Sequence, residues 1–322
     1  MVSHIGEEVI LAINKDSSGD VYVFDRNGTG IRRINRKGQG PEEYSGQIRA
    51  TLDETNGDMY VVCTYLNKVM VYDLYGTFKR SLPNVSVIIT NFDRDHLLCA
   101  IPNEDPGNDS RIKFVIISKH DGSVTKEIQI PFKDKKVSWA FNGGKMIIGP
   151  TNQILVPNRD SWLLAEISSD TIYQLMPDYR MVPFMARIPS VQSMNPEAFL
   201  YPSVITDRYC FMQTVFKIET RTETGERKYP RHDIVYDKKE KSLFEYIVYN
   251  DDFSKKRPVS LAFESLQYMT FMNKEIAFIY KFESYELVEA YKKGQLNGKL
   301  KEIAAKLNEE SNPVIMVAKH KK

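Results

Sequence analysis

Val23-Phe24-Asp25, followed by Gly28-Thr29, recurs as Val71-Tyr72-Asp73, followed by Gly76-Thr77, at an offset of 48 residues at every matched position. In both copies an apolar strand of β-branched and aromatic residues ends at a carboxylate. A glycine then supplies the positive φ of a tight turn, and a strand of alternating character returns. Weaker copies follow: Ile116-Ile117-Ser118 leads to Asp121-Gly122-Ser123, and Val235-Tyr236-Asp237 leads through a Lys-rich turn to the strand Leu243-Phe244-Glu245-Tyr246-Ile247-Val248. Each unit is a hairpin that cannot bury a face alone, so the units must shield one another.

Period-two alternation with Gly, Asn-Gly and Asp-Gly punctuation runs to about residue 282, and dividing 322 by 48 gives between six and seven units. Sheets arranged in a closed ring let every unit bury both faces against its neighbours. The expected fold is therefore all-β, a single six-bladed β-propeller domain over 1–322. Its blades are expected at approximately 1–37, 45–83, 84–131, 138–188, 197–250 and 258–322. One segment departs from the pattern. Leu287, Tyr291, Leu296, Leu300, Ile303, Ala304 and Leu307 stand at helical spacings, which predicts a helical insertion in the last blade over 284–310. It reads as one helix or as two short ones interrupted near Gly294 to Gly298. A final strand follows Asn312-Pro313, over Val314 to Ala318.

The composition is 42% hydrophobic, 11% aromatic and 27% charged, ordinary for a chain with a packed core. Lys plus Arg is 44 against 42 for Asp plus Glu, so no global field points to nucleic acid. No run of eighteen apolar residues occurs, so no membrane-spanning helix is expected. The opening MVSHIGEEVI has neither the basic nor the apolar region of a secretion signal, which leaves a cytoplasmic chain or a trimmed precursor. Cys63, Cys99 and Cys210 each sit in an apolar run without a CxxC pair and read as buried structural thiols.

The string Lys37-Gly38-Gln39-Gly40-Pro41-Glu42-Glu43-Tyr44, directly after Val21 to Gly28, resembles the signature of a family of six-bladed β-propellers of Bacteroides-type gut bacteria, related to NHL-repeat propellers. Asp170-Thr171-Ile172-Tyr173 and Asn312-Pro313-Val314-Ile315 extend the resemblance over nearly the whole chain. It implies the propeller fold, a cell-envelope or lipoprotein location, and no assigned activity. Members similar to this chain usually carry a signal peptide and one or two strands before the first repeat. Here only Glu8 to Asn14 reads as a strand before residue 21, so the first blade is expected to be short of strands.

Chemical motifs are sparse. The loop Gly38, Gly40, Pro41, Glu43 and Tyr44 lacks the Lys-Ser/Thr of a P-loop and the third Gly of a dinucleotide turn. It reads as a structural connection between blades in which glycine permits close backbone geometry, Pro fixes φ and Tyr packs between sheets. His4, His96, His120, His232 and His320 show no metal-ligand spacing, and no cofactor or metal is expected. His232 and Asp233 are neighbours on a strand and point to opposite faces. Six-bladed enzymes such as lactonases hold Ca²⁺ on the ring axis, but Asp53, Glu54, Asp93 and Asp95 fall in expected turns, and no axial set can be chosen. Trp139, Arg159 and Trp162 are the candidate ligand contacts, suited to stacking on a sugar or peptide, with core packing the competing role. Lys133 to Lys136, Arg227 to Arg231 and Lys255 to Arg257 read as solvated turns. The favoured reading is a non-catalytic module that presents loops to a protein, peptide or glycan. The alternative is a metal-dependent hydrolase or lyase built around the channel.

Overall fold

A computed structural model describes residues 2–14, 18–63, 66–83, 86, 88–101, 111–138, 140–142, 145–147, 153–221, 223, 225, 227–262, 270–271 and 275–321. In it the two strong copies of the repeat have the same turn chemistry. Asp25 Oδ1 accepts from the Asn27 and Thr29 N–H groups at 2.8 Å, and Asp73 Oδ1 accepts from those of Tyr75 and Thr77 at 2.8 Å. Gly28 and Gly76 hold φ at +86° and +83°, and their N–H groups close the turns onto the Asp25 and Asp73 carbonyls at 3.1 Å. A carboxylate that gathers turn N–H groups ends the strand and fixes the return, because it gives those donors one fixed acceptor in place of water.

The residues form two compact units, Met1–Glu197 with Glu264–Asn273, and Ala198–Phe263 with Lys274–Lys322. The first unit holds four antiparallel meanders. They are β1 (Val2–Ile5), β2 (Val9–Ile13), β3 (Asp20–Asp25) and β4 (Gly30–Asn35); β5 (Ile48–Asp53), β6 (Asp58–Cys63), β7 (Lys68–Tyr72) and β8 (Phe78–Pro83); β9 (Ile88–Asn91), β10 (His96–Ala100), β11 (Ile112–Ser118) and β12 (Val124–Gln129); and, after the small hairpin β13 (Ala140–Asn142) and β14 (Lys145–Ile147), β15 (Leu155–Asn158), β16 (Ser161–Leu164), β17 (Thr171–Leu175) and β18 (Met181–Ala186).

The second unit is less regular. Its main sheet is ordered β19 (Ala198–Ile205), β20 (Tyr209–Phe216), β23 (Arg231–Asp237) and β24 (Ser242–Glu245), with the hairpin β21 (Thr220–Arg221) and β22 (Arg227–Lys228) between β20 and β23. A two-stranded pair joins β25 (Val248–Asn250) to β26 (Arg257–Val259). In the first unit, β27 (Thr270–Phe271) runs parallel to β1 and makes the opening sheet five-stranded. Back in the second unit, β28 (Ile276–Phe282) pairs with β29 (Val314–Lys319), and the helices α1 (Ser284–Lys292) and α2 (Gly298–Ala304) lie between them in the chain.

The chain is all-β with repeated four-stranded antiparallel sheets. Two short helices stand where helical spacing was read, with Gly294 at φ +65° just after the first and Gly298 opening the second. The expectation of a short first blade is corrected. Val2–Ile5 is a fourth strand, buried at all four positions, and a strand buried on both faces carries no alternation to read. β25 is also separate from the fifth sheet, although the 197–250 boundary joined them.

The core of the first unit is layered between successive sheets. One layer holds Leu11, Val23 and Ile34 with Ala50, Met59 and Tyr72; the next holds Tyr60, Val71 and Leu82 with Leu97, Cys99 and Ile117; a third holds Leu98, Phe114 and Ile128 with Leu155, Trp162 and Leu175. Ile34, Leu82 and Ile128 are each the fifth residue of an outer strand and its buried anchor. The third residues of the same strands are cations that reach carbonyls in the next sheet's outer turn. Arg32 donates to Leu74 O at 2.7 Å, Arg80 to Lys119 O at 2.9 Å and Lys126 to Tyr179 O at 2.6 Å. The repeat thus encodes both the apolar layer and the polar clasp over it.

Candidate functional site

The signature loop is a structural joint. Tyr44 is fully buried, donates from its hydroxyl to Gly19 O at 2.6 Å, accepts there from the Arg36 N–H at 3.0 Å, and meets Tyr72 edge-on at 5.8 Å. The Gly40 N–H donates to Glu43 Oε2 at 2.7 Å, and the Tyr72 hydroxyl to Glu42 O at 2.8 Å. A Cβ on Gly38 would stand 1.8 Å from Glu43 Oε2, so a larger residue there would swing that flexible carboxylate off the loop. Pro41 lies at the exposed bend.

The turn acids hold sheets together. Glu54 accepts from the Glu7, Glu8 and Val9 N–H groups at 2.6, 3.0 and 3.0 Å. Asp53, 1% exposed, pairs at 2.5 Å with Lys119, whose ammonium also donates to Asp93 O at 2.6 Å. Asp93 accepts from the Tyr179 hydroxyl at 2.5 Å and stands 2.9 Å from His96 Nδ1. Burial and then Asp93 push the Tyr179 phenol up to about 12. Burial raises Asp93, but its hydrogen bonds from Tyr179, the Asp95 N–H and His96 outweigh that and hold it below the usual carboxylate range. A phenol that high beside a carboxylate that low is a clasp, poorly matched to proton transfer near neutrality. Among the described residues no group of three His, Cys, Asp or Glu side chains is placed to hold a metal ion. The three cysteines are free and buried, and burial pushes their thiols up, Cys63 to about 11.

Two of the candidate ligand contacts fall among the described residues, one in the core and one on the surface. Trp162 is 6% exposed in the core layer between the third and fourth sheets, so its ring offers no open face for stacking. Arg159, at φ +55°, is exposed on the β15–β16 turn. Trp139 lies outside the described residues. His232 contacts Glu245 at 3.0 Å, while Asp233 accepts from Gln213 at 2.8 Å.

A cleft of about 480 Å³ in the second unit is a stronger site. Its frame is the turn between β25 and β26 laid against the end of α1. The Ser254 N–H donates to Gln295 O at 2.9 Å, the Asn297 N–H to Asp252 O at 2.7 Å, and Phe253 bridges Leu296. Phe253, Phe282, Leu287, Ala290, Leu296 and Leu300 pack beneath. Phe253, Ala290 and Pro258 contribute the apolar lining, and Lys255, Lys256, Arg257, Glu286, Glu289, Lys293 and Gln295 the polar one. Arg257 lies 5.0 Å above the Phe253 ring and donates to Glu286 at 3.1 Å. Lys293 pairs with Glu289 at 2.5 Å, which holds that carboxyl below its usual range. Lys256 stands 5.4 Å from the Tyr249 ring, and among the described residues neither it nor Lys255 pairs with a carboxylate. Four cations against two carboxylates leave the cleft positive. The Lys255 to Arg257 run, readable in sequence as a solvated turn, becomes a cleft wall because α1 returns some thirty residues later to face it.

The profile of a family described as a domain of unknown function, DUF4934, matches residues 3–319, and the chain belongs to that family. A search of curated proteins finds no match. Among solved structures, the chain is similar to a Bacteroides fragilis protein provisionally described as exported, at 16% identity and a TM-score of 0.60, over 100% of this chain and 92% of that one. It is also similar to a member of the DUF4221 family from Bacteroides vulgatus, at 11% identity and a TM-score of 0.50, over 74% of this chain and 78% of that one. A more distant likeness is to the WD40 domain of Neurospora crassa Pan2, at 13% identity and a TM-score of 0.40, over 86% of this chain and 68% of that one. The fold is propeller-like, and no helix among the described residues is long and apolar enough to cross a membrane.

Proposed function

We propose that this DUF4934 chain is a non-catalytic binding module of the cell envelope, built as a six-bladed ring, whose β25–β26 cleft captures the carboxylates of an acidic peptide or glycan. The observation that carries the reading is the pair of exposed lysines, Lys255 and Lys256, beside an Arg257 guanidinium 5.0 Å above the Phe253 ring. A guanidinium above an aromatic ring and bonded to Glu286 is held in place beside the two lysines, while the apolar lining takes up the ligand's carbon skeleton. The five larger sheets supply five blades, and the sixth falls to β28–β29 with its helices. The export description of the B. fragilis protein supports the envelope location.

The test is calorimetric titration of the full chain with oligoglutamate peptides in one arm and uronate oligosaccharides in the other. The expected result is binding in one arm that weakens as salt rises and falls at least about tenfold in Lys255→Glu/Lys256→Glu. Equal binding by the double variant would overturn the cleft assignment, and silence in both arms would overturn the anionic ligand.

A further inference from the structure

The outer strands of the first unit are guarded against edge-to-edge association. β4 carries Arg32 and Arg33, β8 carries Lys79 and Arg80, β12 carries Lys126 and Glu127, and β18 carries Pro183, which has no N–H to offer. Charged and proline residues on an edge are how sheets avoid adding strands from other molecules. β24, the last strand of its sheet, reads Ser-Leu-Phe-Glu, with Leu243 58% and Phe244 52% exposed and no residue buried.

The backbone register of β24 defines what its edge can accept. The Tyr246 N–H donates to Asp233 O at 3.2 Å, and the pairing continues as Glu245 with Ile234, Phe244 with Val235 and Leu243 with Tyr236. Hydrogen-bonded pairs alternate along an antiparallel ladder, so Phe244 and Ser242 bond inward to β23. Leu243 and Glu245 therefore direct their N–H and C=O groups to the open edge. The flanking charges are of opposite sign, with Lys241 before the strand and Glu245 at its end.

We infer that β24 pairs with β24 of a second copy of this chain across a two-fold axis at Leu243. An antiparallel pairing centred there sets Leu243 against its mate as a hydrogen-bonded pair. The turn residue Lys241 of each copy, at φ +53° just before the strand, then lies within reach of Glu245 of the other, which keeps its contact with His232, so one charge pattern gives two reciprocal ion pairs. A strand this short makes a weak dimer, with a dissociation constant on the order of 10⁻⁴ M.

Sedimentation equilibrium of the full chain tests it, with thermal melts to show that each variant is folded. The wild type is expected to dimerise through the high-micromolar range. Leu243→Lys sets two ammonium groups on the axis and leaves only monomer. Glu245→Lys weakens the dimer about tenfold, and Lys241→Glu/Glu245→Lys restores it, because the pairs re-form with signs exchanged. A wild type that stays monomeric to about 1 mM, a dimer indifferent to Leu243→Lys, or a charge swap that fails to rescue would each overturn the proposal.

Discussion

The outer strands of the first unit send a cation from their third position to a carbonyl of the next sheet's turn, whereas β24 in the second unit has Phe244 at that position, half exposed. The first unit spends its charges on joining sheets. Asp53, Asp93 and Glu54 are all committed to neighbouring turns, and Lys119 is 4% exposed. The second unit leaves Lys255 and Lys256 exposed on the cleft and Leu243 and Phe244 exposed on an edge strand. Regularity and the proposed recognition surface are thus separated along this chain: the repeat joins sheet to sheet, and the departures from it expose the groups that the proposed binding uses.

Lys119→Met strikes the most deeply buried charge of the first unit's joints. Its ammonium is the counter-charge of a carboxylate that is 1% exposed, and removing one partner of a buried pair leaves the other uncompensated. The expected loss is about 3 kcal/mol in urea unfolding, at the low end for buried pairs because Asn56 and the Thr55 N–H still donate to Asp53. Lys119→Met/Asp53→Asn should recover most of it, because the amide oxygen still accepts from the turn N–H groups and the charge is gone. A loss below about 1 kcal/mol would show that the clasp adds little.

His4 sharpens the same contrast through pH. It is fully buried beside Thr51, with Nδ1 3.2 Å from Oγ1, and burial pushes it down from 6.5 to about 3. Above about pH 6.5 the ring is neutral folded or unfolded, and it has no effect on the pH slope. Below that the unfolded chain takes up a proton the folded chain refuses, so stability falls with pH until about 3. Relative to His4→Gln, the wild type should lose about 3 kcal/mol between pH 7 and pH 4.5. Parallel pH profiles for the two proteins would show that the ring is not held neutral.

What was legible follows from distance along the chain. The Asp25 and Asp73 turns were readable because the carboxylate, its N–H donors and the glycine all lie within four residues. The two helices were readable from Leu287, Leu300 and Ala304, all buried, whereas Leu296, at the same spacing, falls in the connection between them. β1 was not, because a strand buried at every position has no period. The clasps were also hidden: Asp53 finds Lys119 66 residues away, and Asp93 finds Tyr179 86 away. The cleft needed both its walls, and only one carried a charge run that stood out. Trp162 drew notice as a rare aromatic, but β16 is buried at all its positions, so the ring went to the core.

The smallest expected effect isolates sheet-to-sheet packing from turn strain. Gly28 and Gly76 hold nearly the same positive φ, so alanine at either incurs the same left-handed penalty, about 1 kcal/mol. Their surroundings differ. A Cβ at Gly28 meets nothing within 4 Å, whereas one at Gly76 stands 2.7 Å from Ile34 Cγ2, the buried anchor of β4. The next turn repeats the contact, since a Cβ at Gly122 would stand 2.6 Å from Pro83 and 3.1 Å from Leu82. Gly76→Ala should therefore cost about 1 kcal/mol more than Gly28→Ala, the price of overpacking a filled layer. Ile34→Val, which removes one methyl, should shrink that excess in a double-mutant cycle. Equal losses at the two glycines would mean that the turn of one sheet does not bear on the outer strand of the sheet before it, and the layered reading of the first unit would fail at its most regular point.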